Sequence, residues 1–254
     1  MVDIKKQIKK SFSDSVKQYN KWAVVQKQAV QKLVYLLSHK GYENILDIGC
    51  GTGFVLEELQ KQQIVFNKVT GIDVASGMIE YCRMMWPEEK FVCEDAEDFC
   101  PKEKYDLIIS NFTFQWFDNI PFVIDKYLGA LKEKGILALS FPIKGSLSEL
   151  QKASVEKNDK PINLLKFPDL LEIAQDIKGE VMIRFIEPIK TLYDSSKDAI
   201  KAIKQIGASF GNGQAYSVKQ MKNLLDSYEV LFKDKDSKIP ATYNVAFLVL
   251  QKKQ

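Results

Sequence analysis

The sequence predicts an α/β protein: a doubly wound, mostly parallel seven-stranded sheet carrying a helical lid. Three observations carry this reading. Apolar runs rich in β-formers alternate with helical patterns, as parallel sheets require. The first run, Ile45–Ile48, breaks into Gly49-Cys50-Gly51-Thr52-Gly53, a glycine turn that leads into a helix. Successive runs then end in polar residues, Asp73, Asp95 and Asn111, so that one sheet edge collects hydrogen-bonding groups.

The elements follow in order. Residues 11–19 and 22–38 read as amphipathic helices, the second with Ala23, Val30, Leu33, Val34 and Leu37 at helical spacing and Gly41 as its stop. Strands are expected at 44–48, 68–72, 90–93, 106–110 and 135–141, with helices at 54–63, 76–86 and 119–132 between them. Beyond Phe141-Pro142 the pattern changes to helices over 146–157, 168–177, 195–206 and 217–230, and long strands over 181–192 and 243–250. Ser195-Ser196 caps the third of these helices and Gly207 ends it. Residues 1–254 are thus expected to form one domain, with N-terminal helices in 1–40 and lid insertions over 143–182 and 194–236. Such inserts would roof a cleft at the sheet edge.

Composition sets bounds. A chain of 254 residues, 46% apolar and 27% charged, can bury one large core. Runs such as Val245–Leu250 are too short to span a bilayer, so a soluble, cytoplasmic protein is expected. Cys50, Cys82, Cys93 and Cys100 form no Cys-x-x-Cys pair, and His39 is the single histidine, so neither a metal nor a disulfide framework is expected. Cys50 reads as a small filler of the loop, and His39 as a cation near a helix C-terminus rather than a base. A net charge of +3 gives no nucleic-acid surface. Arginine occurs only at positions 83 and 184, so anion clamps that exploit its fork are scarce.

The polar tips imply a ligand. Asp73 stands twenty residues after Gly53 at the end of an apolar strand, where a carboxylate can accept from both ribose hydroxyls. A dinucleotide is one reading, although its pyrophosphate favours a third glycine where Phe54 stands; a phosphate loop is excluded because no Gly-Lys-Ser/Thr follows. The ordered set resembles the class I S-adenosylmethionine-dependent methyltransferases. That resemblance puts Gly49, Gly51 and Gly53 under the methionine moiety, Asp73 on the ribose and Asp95 at the adenine edge, with Asn111 after the fourth strand. Asp47, Val74, Met78, Ala96 and Phe112 complete the expected cofactor-binding residues, and S-adenosylhomocysteine is the implied product.

The acceptor is read from the end of the fourth strand. Methylases of DNA or glutamine nitrogen carry Asn/Asp-Pro-Pro-Tyr there, whereas this chain has Asn111-Phe112-Thr113-Phe114. Phenol oxygens commonly require a base or metal, and histidine is absent from every motif. A carboxylate needs neither. Neutral donors can orient it without lowering its nucleophilicity as an arginine pair would, and Gln115 and Trp116 offer such donors.

A narrower resemblance covers almost the whole chain. The strings Ser110–Trp116, Gly145–Leu150 after Phe141, Lys204–Ala208 and Pro240–Tyr243, with Phe12 and Tyr19 near the start, are similar to the malonyl-[acyl-carrier protein] O-methyltransferases of biotin synthesis. The resemblance implies methylation of the free carboxylate of a malonyl thioester on acyl carrier protein, with no membrane or nucleic-acid partner. It implies positioning roles for Gln115, Trp116 and Tyr19 with no general base, and a pocket-facing Gln26. Lys201, Lys204 and Tyr243 are expected at the substrate or carrier, Lys197, Lys201 and Lys204 forming one helix face opposite Ile200, Ile203 and Ile206. Two alternatives stay open: a methyltransferase for free small-molecule carboxylates, as in the related aconitate methyltransferases, and a partner-binding protein that holds the cofactor as a structural ligand.

Overall fold

The computed structural model describes residue 16 and residues 18–37, 41–156, 167–206 and 217–252. Seven strands, β1 (Tyr42–Ile48), β2 (Phe66–Asp73), β3 (Lys90–Cys93), β4 (Tyr105–Asn111), β5 (Leu131–Pro142), β6 (Glu180–Tyr193) and β7 (Ile239–Gln251), form one sheet in the order β3-β2-β1-β4-β5-β7-β6. The first five pair in parallel, while β7 runs antiparallel to β5 and β6. Helices α1 (Val24–Tyr35), α2 (Phe54–Lys61), α3 (Ser76–Met85), α4 (Ile120–Gly129), α5 (Ser148–Glu156), α6 (Leu170–Asp176), α7 (Ser196–Gln205) and α8 (Val218–Phe232) surround it. The doubly wound, mostly parallel seven-stranded sheet is therefore present.

Alternation of side chains sorts the core onto two faces. Along β7, Ile239, Ala241, Tyr243, Val245, Phe247 and Val249 join the buried residues of α1, α2, α3, α5, α7 and α8, whereas Ala246, Leu248 and Leu250 join those of α4 and α6. Local chemistry starts the helices. Asn119 accepts the Phe122 amide at 3.1 Å, Ser195 accepts that of Asp198 at 3.1 Å, and Ser217 and Gln220 form a reciprocal capping box.

Two boundaries differ from expectation for non-local reasons. The helix expected to run to residue 132 stops at Gly129, because Leu131 pairs with Tyr105 and draws the following residues into β5 across a bulge. The last strand begins at Ile239 rather than 243, because β6 extends to Tyr193 and supplies partners for it. β6 begins at Glu180, so residues 180–182 of the expected first insertion belong to the sheet. His39, Phe12, Gly207 and Ala208 lie outside the described residues.

β1 pairs with β2 on one side and β4 on the other. This is the topological switch point, where the helices that follow adjacent strands leave for opposite faces and open a crevice.

Candidate active site

The loop after β1 is pinned before it turns. The Gly49 and Cys50 amides both donate to the Ile72 carbonyl, at 2.8 and 3.0 Å, tying the loop to the tip of β2. Gly49, Gly51 and Gly53 all have positive φ (70°, 52° and 81°), and two of them show distinct needs. A Cβ on Gly49 would lie 2.0 Å from Thr113 Oγ1, so this glycine admits the segment after β4. A Cβ on Gly51 would meet no protein atom within 4 Å, and Gly51 lines the cleft, so the space its side chain would fill is open and able to admit a ligand. Cys50 is buried as a filler, its thiol pushed up first by the hydrogen bond with Cys82 and then by burial.

The acids converge on this loop. Asp73 Oδ2 accepts the Gly51 amide at 3.0 Å and Oδ1 the Ala75 amide at 2.8 Å. Burial raises its pKa, and these two amides pull against that rise. Asp47 is 2% exposed, and its Oδ1 has no partner among the described residues. Burial, and then the nearby Asp73 charge, hold its carboxyl well above the usual range. After β3, Asp95 Oδ1 accepts the Glu97 amide at 2.9 Å, and the Ala96 carbonyl is fixed by the Tyr127 hydroxyl at 2.8 Å and Lys126 Nζ at 3.1 Å.

The end of β4 shows how two of the expected residues are held. Asn111 lines the cleft, but its amide already bridges protein groups: Nδ2 donates to the Gln26 carbonyl at 3.1 Å and Oδ1 accepts from Ser140 Oγ at 2.7 Å. Gln115, expected to offer its amide to the acceptor, instead donates Nε2 to the Phe112 carbonyl at 2.7 Å and does not line the cleft. Phe112 has φ +59°, a left-handed conformation that bulky residues rarely adopt; its amide donates to the Ser140 carbonyl at 2.7 Å. Gln115 is thus the brace of a strained turn whose residue forms the pocket wall. Gln26 is 3% exposed, with its carbonyl on Asn111.

The cleft brings together most of the expected residues: Tyr19, Gly49, Gly51, Asp73, Val74, Met78, Asp95, Ala96, Asn111, Phe112 and Trp116 line it. Asp47 and Gly53 are not among the lining residues, although Asp47 lies close enough to feel the Asp73 charge and Gly53 packs against Trp86. Sequence reasoning missed Ile72, Glu94, Glu97, Thr113 and Phe117 in the lining, and Asn20, whose Oδ1 accepts from Thr52 Oγ1 at 2.6 Å. Tyr19 stacks on Phe54 with ring centroids 5.9 Å apart, so residues 18–22 close against the glycine loop. Among the described residues the lining contains four carboxylate side chains and no lysine, arginine or histidine. An open glycine cradle, a ribose-competent acid and an unpartnered buried carboxylate oxygen together fit a nucleoside with a cationic tail, which is the form of S-adenosylmethionine.

The remaining expected residues lie elsewhere. Lys201 and Lys204 are exposed on α7 opposite buried Ile200, Ile203 and Ile206, and Lys201 Nζ stands 5.5 Å from the centroid of the Trp22 ring. Tyr243 is 2% exposed, so a carrier protein cannot touch it; β7 alternation turns it into the core rather than to the surface. Among the described residues no cluster of metal-ligating side chains occurs, and no helix is long and apolar enough to cross a membrane.

Comparison with known proteins agrees with this geometry. Residues 46–139 match the family model described as a methyltransferase domain. A malonyl-[acyl-carrier protein] O-methyltransferase of Acetivibrio thermocellus is 32% identical, over all of this chain and 95% of the relative. One from Priestia megaterium is 31% identical, over 94% of this chain and 95% of the relative. In fold, the chain is similar to the crystal structure of a putative methyltransferase from Bacillus halodurans C-125, with a TM-score of 0.62 and 14% identity over 89% of this chain and 100% of that one.

Proposed function

The chain belongs to the family of malonyl-[acyl-carrier protein] O-methyltransferases, and from that premise we propose that it methylates the free carboxylate of a malonyl group borne on acyl carrier protein, with S-adenosylmethionine as donor. The observation that carries this reading is the strand-tip cleft, with its open glycine and a lining of acids, amides and aromatics that, among the described residues, includes no imidazole or ammonium. Of the carboxylates that line the cleft, Asp73 and Asp95 already accept backbone amides, and a malonyl carboxylate, anionic near neutral pH, needs no proton removed before it attacks.

When bound, S-adenosylmethionine supplies an electrophilic methyl group on a sulfonium whose departure leaves a neutral thioether. The chain's own residues do the positioning. Asp73 would hold the ribose hydroxyls through lone pairs not used by Gly51 and Ala75, Asp95 and Ala96 would take the adenine edge, and Gly49 and Gly51 would underlie the methionine moiety. Asp47 would face its ammonium. Phe112, Trp116 and Tyr19 exclude water from the transfer edge and leave the carboxylate poorly solvated, which favours its attack.

Acyl carrier proteins are acidic, and the exposed lysine face of α7 provides a complementary docking surface. Methyl esterification removes the terminal charge, so that enzymes handling alkyl acyl chains can accept the product.

The test is transfer of labelled methyl from S-adenosylmethionine to malonyl-carrier protein, malonyl-CoA and free malonate, with the product identified by mass spectrometry. A methyl ester formed fastest on the carrier substrate is expected. Equal or faster reaction of free dicarboxylates would favour the small-molecule alternative. Cofactor binding with no ester on any of them would leave only the non-enzymatic reading.

A further inference from the structure

We propose that Tyr243 is a substrate-binding residue whose hydroxyl donates a hydrogen bond to an oxygen of the short dicarboxylic acyl group, on the far side of Phe112 from the cofactor cleft. The inference rests on the carboxyl-methylating reading above and names a residue for its acceptor half.

Three tyrosines meet in the core beneath α5, α7 and α8, and two have their hydroxyls placed. Thr191 Oγ1 donates to the Tyr193 hydroxyl at 3.2 Å, and the Tyr228 hydroxyl donates to the Pro240 carbonyl. The Tyr243 hydroxyl has no partner among the described residues, although the residue is only 2% exposed. A buried hydroxyl left unpaired destabilises the fold, and phenylalanine would fill the same space without that penalty. An acyl oxygen of the substrate is the partner proposed for it.

The position selects that partner. The Tyr243 ring packs against Phe112 at 6.2 Å between centroids and against Phe167 at 6.3 Å. Phe112 also lines the cofactor cleft, so the Tyr243 ring packs directly on a residue of the cleft wall. Phe112 is itself held in its left-handed turn by Ser140 and Gln115. A ligand that reaches past Phe112 from the transfer edge therefore meets Tyr243. Burial, followed by the proximity of Tyr193 and Tyr228, keeps the phenol protonated, so it serves as a donor and not as a base. A neutral donor orients an acyl oxygen without the charge pairing that would blunt a carboxylate nucleophile.

The experiment compares the full-length protein with Tyr243→Phe, using malonyl-carrier protein as substrate and Tyr193→Phe as the control. The Tyr243→Phe protein is expected to show a KM for the carrier substrate raised roughly tenfold, as loss of one hydrogen bond at a desolvated site implies. Its Kd for S-adenosylmethionine should stay within about twofold of the parent's, and its Tm should be no lower, because only an unpaired hydroxyl has been removed. The rise in Tm that malonyl-carrier protein gives the parent should shrink in this variant but not in Tyr193→Phe. Unchanged KM and unchanged thermal shift would overturn the assignment, as would parallel losses in cofactor affinity and Tm, which mark a purely structural role. Failure of the broader functional reading shows in the parent, which would then make no ester; failure of this inference shows in the variant alone.

Discussion

Asp73 Oδ2 accepts the Gly51 amide at 3.0 Å, joining the acid at the tip of β2 to the loop glycine whose missing side chain opens the cleft. The bond sets the acid and the glycine cradle relative to each other before any ligand arrives, so little ordering is left for binding to drive. Asp73→Ala should raise the Kd for S-adenosylmethionine by roughly tenfold to a hundredfold, the loss expected for hydrogen bonds to a charged group. Titration calorimetry checks this, and a Kd within twofold of the parent's would remove Asp73 from the site.

The loop glycines should separate binding from folding. Gly51→Ala places a methyl in open space at φ +52°, so the chain should fold with a stability loss of about 1–2 kcal/mol while cofactor affinity falls sharply. Gly53→Ala drives a Cβ to 2.3 Å from the Trp86 ring, which sits against the loop, and should lower Tm well beyond the Gly51 variant. Melting curves with and without S-adenosylmethionine distinguish the two; equal Tm losses would contradict the packing described.

Asp47 makes the pH dependence specific. Its folded-state pKa stands well above the ordinary value of 3.8, so the unfolded chain ionises first as pH rises. The carboxylate therefore subtracts stability progressively from the ordinary carboxyl range up to the raised folded pKa, and fully above it; below the ordinary range it subtracts nothing. Asp47→Asn should raise the Tm of the ligand-free protein near neutral pH, with the gain fading in acid. A cationic ligand tail near Asp47 favours its ionised form, so cofactor affinity in the parent should rise with pH until that group is ionised, and the variant should lose this slope. A flat affinity profile in the parent would separate Asp47 from the ammonium.

How legible the site was depends on whether its cause is local. Strand ends and the glycine loop could be read directly, because an apolar run meeting Gly49 or Asp73 is a local pattern. Thr113, Ile72 and Asn20 were not foreseen, because each reaches the site through contacts distant in sequence: Thr113 under Gly49, Ile72 as acceptor for the loop amides, Asn20 on Thr52. The Pro240–Tyr243 string points Tyr243 toward the substrate, yet whether it faces surface or core depends on the register of β7 against β6. Gln115 and Asn111 show a further limit. An amide beside a pocket reads as a ligand donor, but a strained Phe112 and the edge of α1 had prior need of them.

The lysine face of α7 should act through charge rather than shape. Replacing Lys201 and Lys204 together by glutamate should raise KM for malonyl-carrier protein by about tenfold at low salt, with the gap narrowing as salt screens the encounter. Malonyl-CoA, which lacks the carrier protein, should show a much smaller change. An equal effect on both substrates would place the lysines at the acyl group instead of a protein interface.

Gln115 links the strained turn to rate. Gln115→Leu keeps similar volume but removes the donor on the Phe112 carbonyl, leaving the Ser140 hydrogen bond and the packing on Tyr243 to hold φ at +59°. A bulky residue in this conformation carries roughly 1–3 kcal/mol of strain, so without its brace Phe112 should relax toward negative φ and shift the wall between cofactor and acceptor. Near-attack geometry tolerates little displacement, so kcat should fall by about tenfold or more. Kd for S-adenosylmethionine should change far less, because Asp73, Asp95 and the glycine loop are untouched. Stopped-assay kinetics beside calorimetry read both quantities. A large loss of cofactor affinity with kcat preserved would show that Gln115 serves the cofactor cleft and not the transfer geometry.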